Sequence, residues 1–122
     1  MDETRIISDL HCHILPGIDD GSRDTDMTAA MLQEEVSQGV ELVVATPHFY
    51  ADKMSVDRFL ERRAHALEKS LAVIAEQALP ISLMTGPEIY YFRGMGEAAM
   101  IPRLKIQDTE TILLEMPFRQ WE

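Results

Sequence analysis

The chain has 122 residues, 46% of them hydrophobic and 26% charged, with 11 basic against 21 acidic side chains and a formal net charge of −10. That is enough for one domain with a core of its own, and the apolar fraction excludes a disordered tail. A chain this acidic, with no basic run, repels phosphate backbones. This excludes general nucleic-acid binding and attraction to anionic membranes, but suits carboxylates gathered around a cation.

The first strand is expected over Arg5–His11, where Ile6 and Ile7 supply β-branched character. The loop Pro16-Gly17-Ile18-Asp19-Asp20-Gly21 is dense in turn residues. Asp24 or Thr25 can cap the following helix, Gly39 can close it, and Ala29, Leu32, Val36 and Val40 recur at helical spacing. Leu42–Thr46 is continuously apolar, as a strand covered on both faces must be, and Pro47 is read as its end. Ser55 can cap a long helix reaching about Leu79, with Val56, Leu60, Leu67, Leu71, Ile74 and Ala78 as its buried stripe. A third strand is expected over Ile81–Thr85, stopped by Gly86-Pro87. A short helical stretch follows between Gly94 and Arg103, and a fourth strand over Thr111–Met116. Alternating strands and helices give an α/β fold with a parallel sheet and right-handed crossovers. A closed barrel of this type needs about 250 residues. The expectation is therefore a small open sheet or part of a barrel.

Cys12 is the single cysteine, which excludes an internal disulfide and fits a reducing, cytoplasmic location. The opening residues show no signal peptide, and no apolar run approaches the roughly 20 residues of a membrane helix.

The chemistry-bearing residues cluster at strand ends. His11 and His13 flank Cys12 after the first strand, His48 follows Pro47 after the second, Glu88 follows Gly86-Pro87 after the third, and Glu115 lies near the end of the fourth. The carboxyl ends of parallel strands are where α/β folds place their sites. In an extended segment His11 and His13 point to the same side and can share one ion, while Cys12 points away as an inert thiol. Asp9 has the same parity and either orients an imidazole or caps a loop. One of Asp19 and Asp20 is expected to ligate and the other to hold the loop. Glu115 interrupts an apolar stretch, where an unpaired carboxylate is costly to bury. His65 reads as a solvated helix residue, the eight methionines as core filler, and Phe118 and Trp121 as core. Imidazoles mixed with carboxylates suit Mn2+, Fe or Zn2+, and multinuclear sites of this kind hydrolyse phosphate esters.

The run His11-Cys12-His13-Ile14-Leu15-Pro16-Gly17-Ile18-Asp19-Asp20-Gly21 resembles the opening of the CpsB/YwqE-type protein-tyrosine phosphatases of the PHP (polymerase and histidinol phosphatase) superfamily. Ala45-Thr46-Pro47-His48, Gly86-Pro87-Glu88-Ile89 and Leu114-Glu115-Met116-Pro117-Phe118 match that family's next motifs in order. The resemblance implies a PHP-type distorted (β/α)7 barrel, of which residues 1–122 would be the N-terminal part. It implies a divalent metal cluster, manganese first, held by His11, His13, Asp20, His48, Glu88 and Glu115, with Glu115 bridging and Asp19 outside the ligand set. It further implies hydrolysis of phosphotyrosine, through a metal-activated hydroxide, on an autophosphorylating tyrosine kinase of capsule or exopolysaccharide biosynthesis. The family's His-Pro-Glu-Arg-like and Asp-x-His motifs have no counterpart in this sequence. The alternatives are a small-molecule phosphatase of the histidinol-phosphate type and a non-catalytic metal-binding remnant. Oligomerisation is expected from an unpaired sheet edge.

Overall fold

The computed structural model describes residues 6–95, 98 and 100–116. In chain order these form β1 (Ser8–Cys12), α1 (Thr25–Ser37), β2 (Leu42–Ala45), β3 (His48–Phe49), α2 (Val56–Glu76), β4 (Ser82–Thr85), β5 (Glu88–Tyr90), a 3-10 turn (Ile101–Leu104) and β6 (Leu113–Glu115). The architecture is mixed α/β with parallel strands throughout. Phe118 and Trp121 lie outside the described residues.

Where one sheet was expected there are two, of three strands each, ordered β1-β2-β4 and β3-β5-β6. β2 and β4 end before Pro47 and Gly86-Pro87, as expected, but the crease at each proline leads straight into a further strand, β3 or β5, that was not expected. Proline has no N–H and a fixed φ, so the ladder is interrupted there, yet extended backbone resumes at the next residue. Leu42 pairs with Ser82 and His48 with Glu88, the same 40-residue offset, so register passes through the crease unchanged. Backbone bonds flank it on both sides: Gly86 N–H donates to Ala45 O (2.9 Å) and Glu88 N–H to Pro47 O (2.9 Å). His48 and Glu88 therefore lie just past β2 and β4, as expected, and each opens a short strand of the second sheet.

Each sheet has its own core. Val43, Val44 and Ala45 of β2 are buried, and Val43 and Ala45 join Ile14, Leu15, Leu32, Ala66 and Val73 in the core between the sheet and helices α1 and α2. Phe49, Phe59, Ile89, Met95 and Leu104 fill the second core, and Ile18 packs against both. Asp24 is the N-cap of α1, its carboxylate accepting from Met27 N–H at 2.8 Å, and Ser55 caps α2 by accepting from Arg58 N–H. α2 ends at Glu76, three residues before the expected end, and its buried stripe is Val56, Phe59, Ala66, Ser70 and Val73. Val56 is buried as expected, but from Phe59 on the stripe lies one position before the expected one, and Leu71 is exposed. Small side chains at Ala66 and Ser70 let the helix lie close on the core, with Leu67 and Ile74 packing from its flank. The Ser70 hydroxyl is satisfied within the helix by Ala66 O at 3.0 Å. Of the helical stretch expected over Gly94–Arg103, the described residues contain the turn Ile101–Leu104. Among the described residues no helix is long and apolar enough to cross a membrane.

Candidate metal centre

Alternation along the second sheet decides what faces what. His48, Tyr50, Glu88, Tyr90 and Glu115 share one parity, with His48 opposite Glu88 and Tyr90 opposite Glu115, while Phe49 and Ile89 point the other way into the core. The imidazole and carboxylate groups are thus presented as a row on one face. β1, in the other sheet, delivers His11 and, one residue past its end, His13 to the same place.

The Glu88 carboxylate, 7% exposed, is the centre of that place. Its Oε1 lies 3.0 Å from His11 Nε2, 3.0 Å from His13 Nε2 and 3.4 Å from His48 Nδ1. The two Nε2 atoms are themselves 3.2 Å apart, and the His13 and His48 rings stack at 4.4 Å. Glu115 Oε1 approaches His48 Nδ1 to 3.1 Å, but the angles are wrong for a hydrogen bond. Both atoms are buried without a hydrogen-bonding partner among the described residues. Buried polar atoms left unpaired are costly. A divalent cation among His48, Glu88 and Glu115 would satisfy them, and the donor set of imidazole nitrogens and carboxylate oxygens is one such a cation accepts. Ligand atoms of three overlapping triads lie within 4.8 Å of one another: His11-His13-Glu88, His13-Asp19-His48 and His48-Glu88-Glu115.

The two loop aspartates have different surroundings. Asp19 Oδ2 accepts from His48 N–H (3.0 Å) and from His13 Nδ1 (3.0 Å), and its Oδ1 accepts from Gly21 N–H (2.9 Å). A carboxylate on Nδ1 fixes the tautomer and turns the Nε2 lone pair toward Glu88 and His11, the usual arrangement behind a metal-bound histidine. Asp20 is 87% exposed at the lip, 3.5 Å from His48 Nε2. The loop is held to β1 by Ser22 N–H donating to His13 O (3.0 Å), and Thr28 Oγ1 donates to Ile14 O (2.6 Å). Tyr50 stacks on His48 with ring centroids 5.6 Å apart. Burial, then the charges of Glu115, Asp20, Glu88 and Asp19, push its phenol above the ordinary tyrosine range, so it stays a protonated donor.

Of the six residues singled out as ligands, the structure gathers His11, His13, His48, Glu88 and Glu115 around one point and leaves Asp20 at the rim. Tyr50 and Tyr90 were not singled out from the sequence. The signal was there in the repeated spacing His48-x-Tyr50 and Glu88-x-Tyr90, which only a strand continuing past each proline makes meaningful. His65 is exposed on α2.

Behind β1 lies a second acidic group. Cys12 Sγ is 3.9 Å from Glu35 Oε1, and burial, reinforced by the charges of Asp9 and Glu35, pushes the thiol up to about 12. Glu35 is itself pushed up to about 7, first by burial and then by its contact with Asp9. A carboxyl whose folded pKa is raised stabilises the fold fully below its unfolded value, and that contribution is lost as pH rises through about 7. Glu35→Gln is therefore expected to melt higher than the parent at pH 8 and level with it near pH 4. Equal melting temperatures at both values would contradict this.

The model of the family described as "Capsular polysaccharide synthesis, CpsB/CapC" matches residues 7–121. The chain is 34% identical over 116 residues to the tyrosine-protein phosphatase YwqE of Bacillus subtilis (strain 168), an overlap of 90% of this chain and 43% of the relative. It is 30% identical over 83 residues to the tyrosine-protein phosphatase CpsB of Streptococcus pneumoniae, covering 68% of this chain and 33% of that one. A solved structure from work on YwqE of B. subtilis and CpsB of S. pneumoniae, "unique metal-dependent tyrosine phosphatases", superposes with a TM-score of 0.78 at 27% identity. That match covers 95% of this chain and 47% of the other. The chain thus spans less than half the length of these relatives. With the family model matched over residues 7–121, nearly the whole chain, it belongs to the CpsB/CapC family of capsular polysaccharide synthesis.

Proposed function

We propose that the chain supplies metal-binding machinery of a divalent-metal-dependent phosphoric-monoester hydrolase acting on phosphotyrosine in a protein. The substrate we favour is an autophosphorylating bacterial tyrosine kinase of polysaccharide biosynthesis, met in the cytoplasm. One observation carries the reading: three imidazole nitrogens converge within 3.4 Å of a single buried carboxylate oxygen, that of Glu88. The names of the relatives and of the superposed structure support it. In this reading the strands are part of a PHP-type (β/α)7 barrel.

His11, His13, His48, Glu88 and Glu115 would hold the ions, with Asp20 completing the set from the lip. Manganese is the metal we favour, with iron or zinc the alternatives. Bound ions supply Lewis-acid charge to phosphoryl oxygens and make water a better nucleophile at neutral pH. The chain's own contribution is orientation. Asp19 holds the His13 ring by its Nδ1 and the His48 backbone by its N–H, so the first imidazole and the strand carrying the second are fixed before any ligand arrives. The Tyr50 hydroxyl, kept protonated, remains a donor beside the carboxylates. Cys12 takes no part in this chemistry: its thiol is buried, pushed up to about 12, and turned toward Glu35.

The test is turnover of a phosphotyrosine peptide by the purified chain with Mn2+ added, compared with the same chain in chelator. Cys12→Ser is expected to keep the metal-dependent rate within about twofold, because a nucleophile delivered by metal ions needs no thiolate. His13→Ala should lose at least about 100-fold, the upper end of what disturbing a metal ligand's support costs. Metal-independent turnover abolished by Cys12→Ser would overturn the assignment. Turnover of histidinol phosphate in place of the peptide would move the substrate to the small-molecule class.

A further inference from the structure

A cavity of about 620 Å³ opens beside the imidazole cluster, and His48, Asp19 and Asp20 form the wall it shares with that cluster. The remaining lining is largely carbon: Ile18, Met54 and Phe59, with the rings of Tyr50 and Tyr90. Lys53 and Arg62 stand at its edge beside Asp52.

The two tyrosines arrive by the same alternation that delivers the ligands. Each follows a ligand by two residues, Tyr50 after His48 and Tyr90 after Glu88, on strands paired in register. At a rise of about 3.3 Å per residue, the sheet face carries His48 opposite Glu88 and then, about 6–7 Å further along, the rings of Tyr50 and Tyr90, with Glu115 opposite Tyr90 on β6. The aromatic surface is continuous: His48 stacks on Tyr50 at 5.6 Å, and Tyr50 meets Tyr90 at 5.5 Å with the planes tilted by 42°. Lys53 Nζ lies 5.0 Å over the Tyr50 ring. A phosphomonoester whose phosphoryl oxygens reach the ligating groups lays the group on its ester oxygen against the two rings. An arene gains offset or edge-to-face contact there, whereas a short alkyl chain leaves that surface bare.

Resting on the phosphatase reading above, we infer that Tyr50 and Tyr90 form an arene slot that selects aryl over alkyl phosphomonoesters, with Tyr90 as the specificity-determining side chain. Tyr90 lines the cavity on β5 two residues beyond the Glu88 row, so it can be changed without removing a ligand.

The probes are phenylphosphonate, ethylphosphonate and inorganic phosphate, none of which carries a cleavable ester, titrated calorimetrically into the full chain loaded with Mn2+. The parent chain should bind phenylphosphonate about tenfold more tightly than ethylphosphonate, the scale of one good aromatic pair. Tyr90→Ala should reduce that preference to about twofold, Tyr90→Leu should do the same at nearly constant volume, and Tyr90→Phe should keep it, with inorganic phosphate bound equally by all. Equal binding of the two phosphonates by the parent, or an undiminished preference in both Tyr90→Ala and Tyr90→Leu, overturns the slot and leaves the phosphatase reading standing. If none of the three ligands binds in the presence of the metal, the phosphatase reading fails and the slot fails with it.

Discussion

Replacing Glu88 by alanine is expected to abolish divalent-ion binding while leaving the chain folded. The carboxylate is buried, and its Oε1 is the atom that His11, His13 and His48 all face. Without it three imidazoles converge on an empty space, and the remaining carboxylates, Glu115, Asp19 and Asp20, meet them only from the sides. The two Nε2 atoms, 3.2 Å apart, then have no shared partner to hold them so close. We expect affinity for Mn2+ to fall by more than about 100-fold, beyond the range seen when only the support of a ligand is disturbed. The cleanest readout is thermal. At a free ion concentration of about 100 times Kd, binding adds about 2.7 kcal/mol to the unfolding free energy. For a chain of this size that raises Tm on the order of 10 °C. Glu88→Ala, and with it Glu88→Gln, should show no such rise. A metal-dependent rise of parental size in either variant would remove Glu88 from the centre.

Gly21→Ala should be nearly as damaging, although glycine offers no ligand atom. A Cβ at this position would sit 2.2 Å from His13 O and 2.5 Å from His13 Cβ. Its neighbour is backbone and cannot swing aside. Relief requires the loop to leave β1, which breaks the bond from Ser22 N–H to His13 O and the one from Gly21 N–H to Asp19 Oδ1. Asp19 then loses the grip that fixes both His13 and His48. Overpacking of this kind costs about 3 kcal/mol. In urea the transition midpoint should fall at unchanged m, and Mn2+ affinity should fall with it. Removing the exposed carboxylate in Asp20→Ala should leave the midpoint nearly alone. A parental midpoint and parental metal affinity in Gly21→Ala would show that the loop and the strand are not coupled.

Much of this arrangement was legible in the sequence, for identifiable reasons. The apolar run at Leu42–Thr46 has one stable environment, and Ser55 announces its helix through a side chain that caps it. The parity of His11 and His13 needs only extended backbone. What was not legible depended on tertiary context. β3 is two residues long and β5 three, too short for any periodicity to register, and each begins just past a proline that reads as a stop. The α2 stripe was misplaced by one position because hydrophobicity favours Leu67 and Leu71, whereas close packing on the first core favours Ala66 and Ser70. The division of labour between Asp19 and Asp20 rests on which one meets three donors, and adjacency in sequence says nothing about that.

The creases at Pro47 and Pro87 bear on which length changes the gene can tolerate. Ala45 pairs with Thr85 before the crease and His48 with Glu88 after it, so both chains cross in equal steps. One codon inserted at Thr46-Pro47 would invert the parity of everything downstream in that strand, turning the His48 ring into the core and offering Phe49 to the ions. The same insertion in the turn at 51–54, or in the stretch 77–80 after α2, would be taken up as loop. Insertions and deletions among relatives are therefore expected to collect in those two stretches and to be absent from 45–48 and 85–88. The spacer between the first core and the ion-binding row would then be kept by counting residues rather than by their identity.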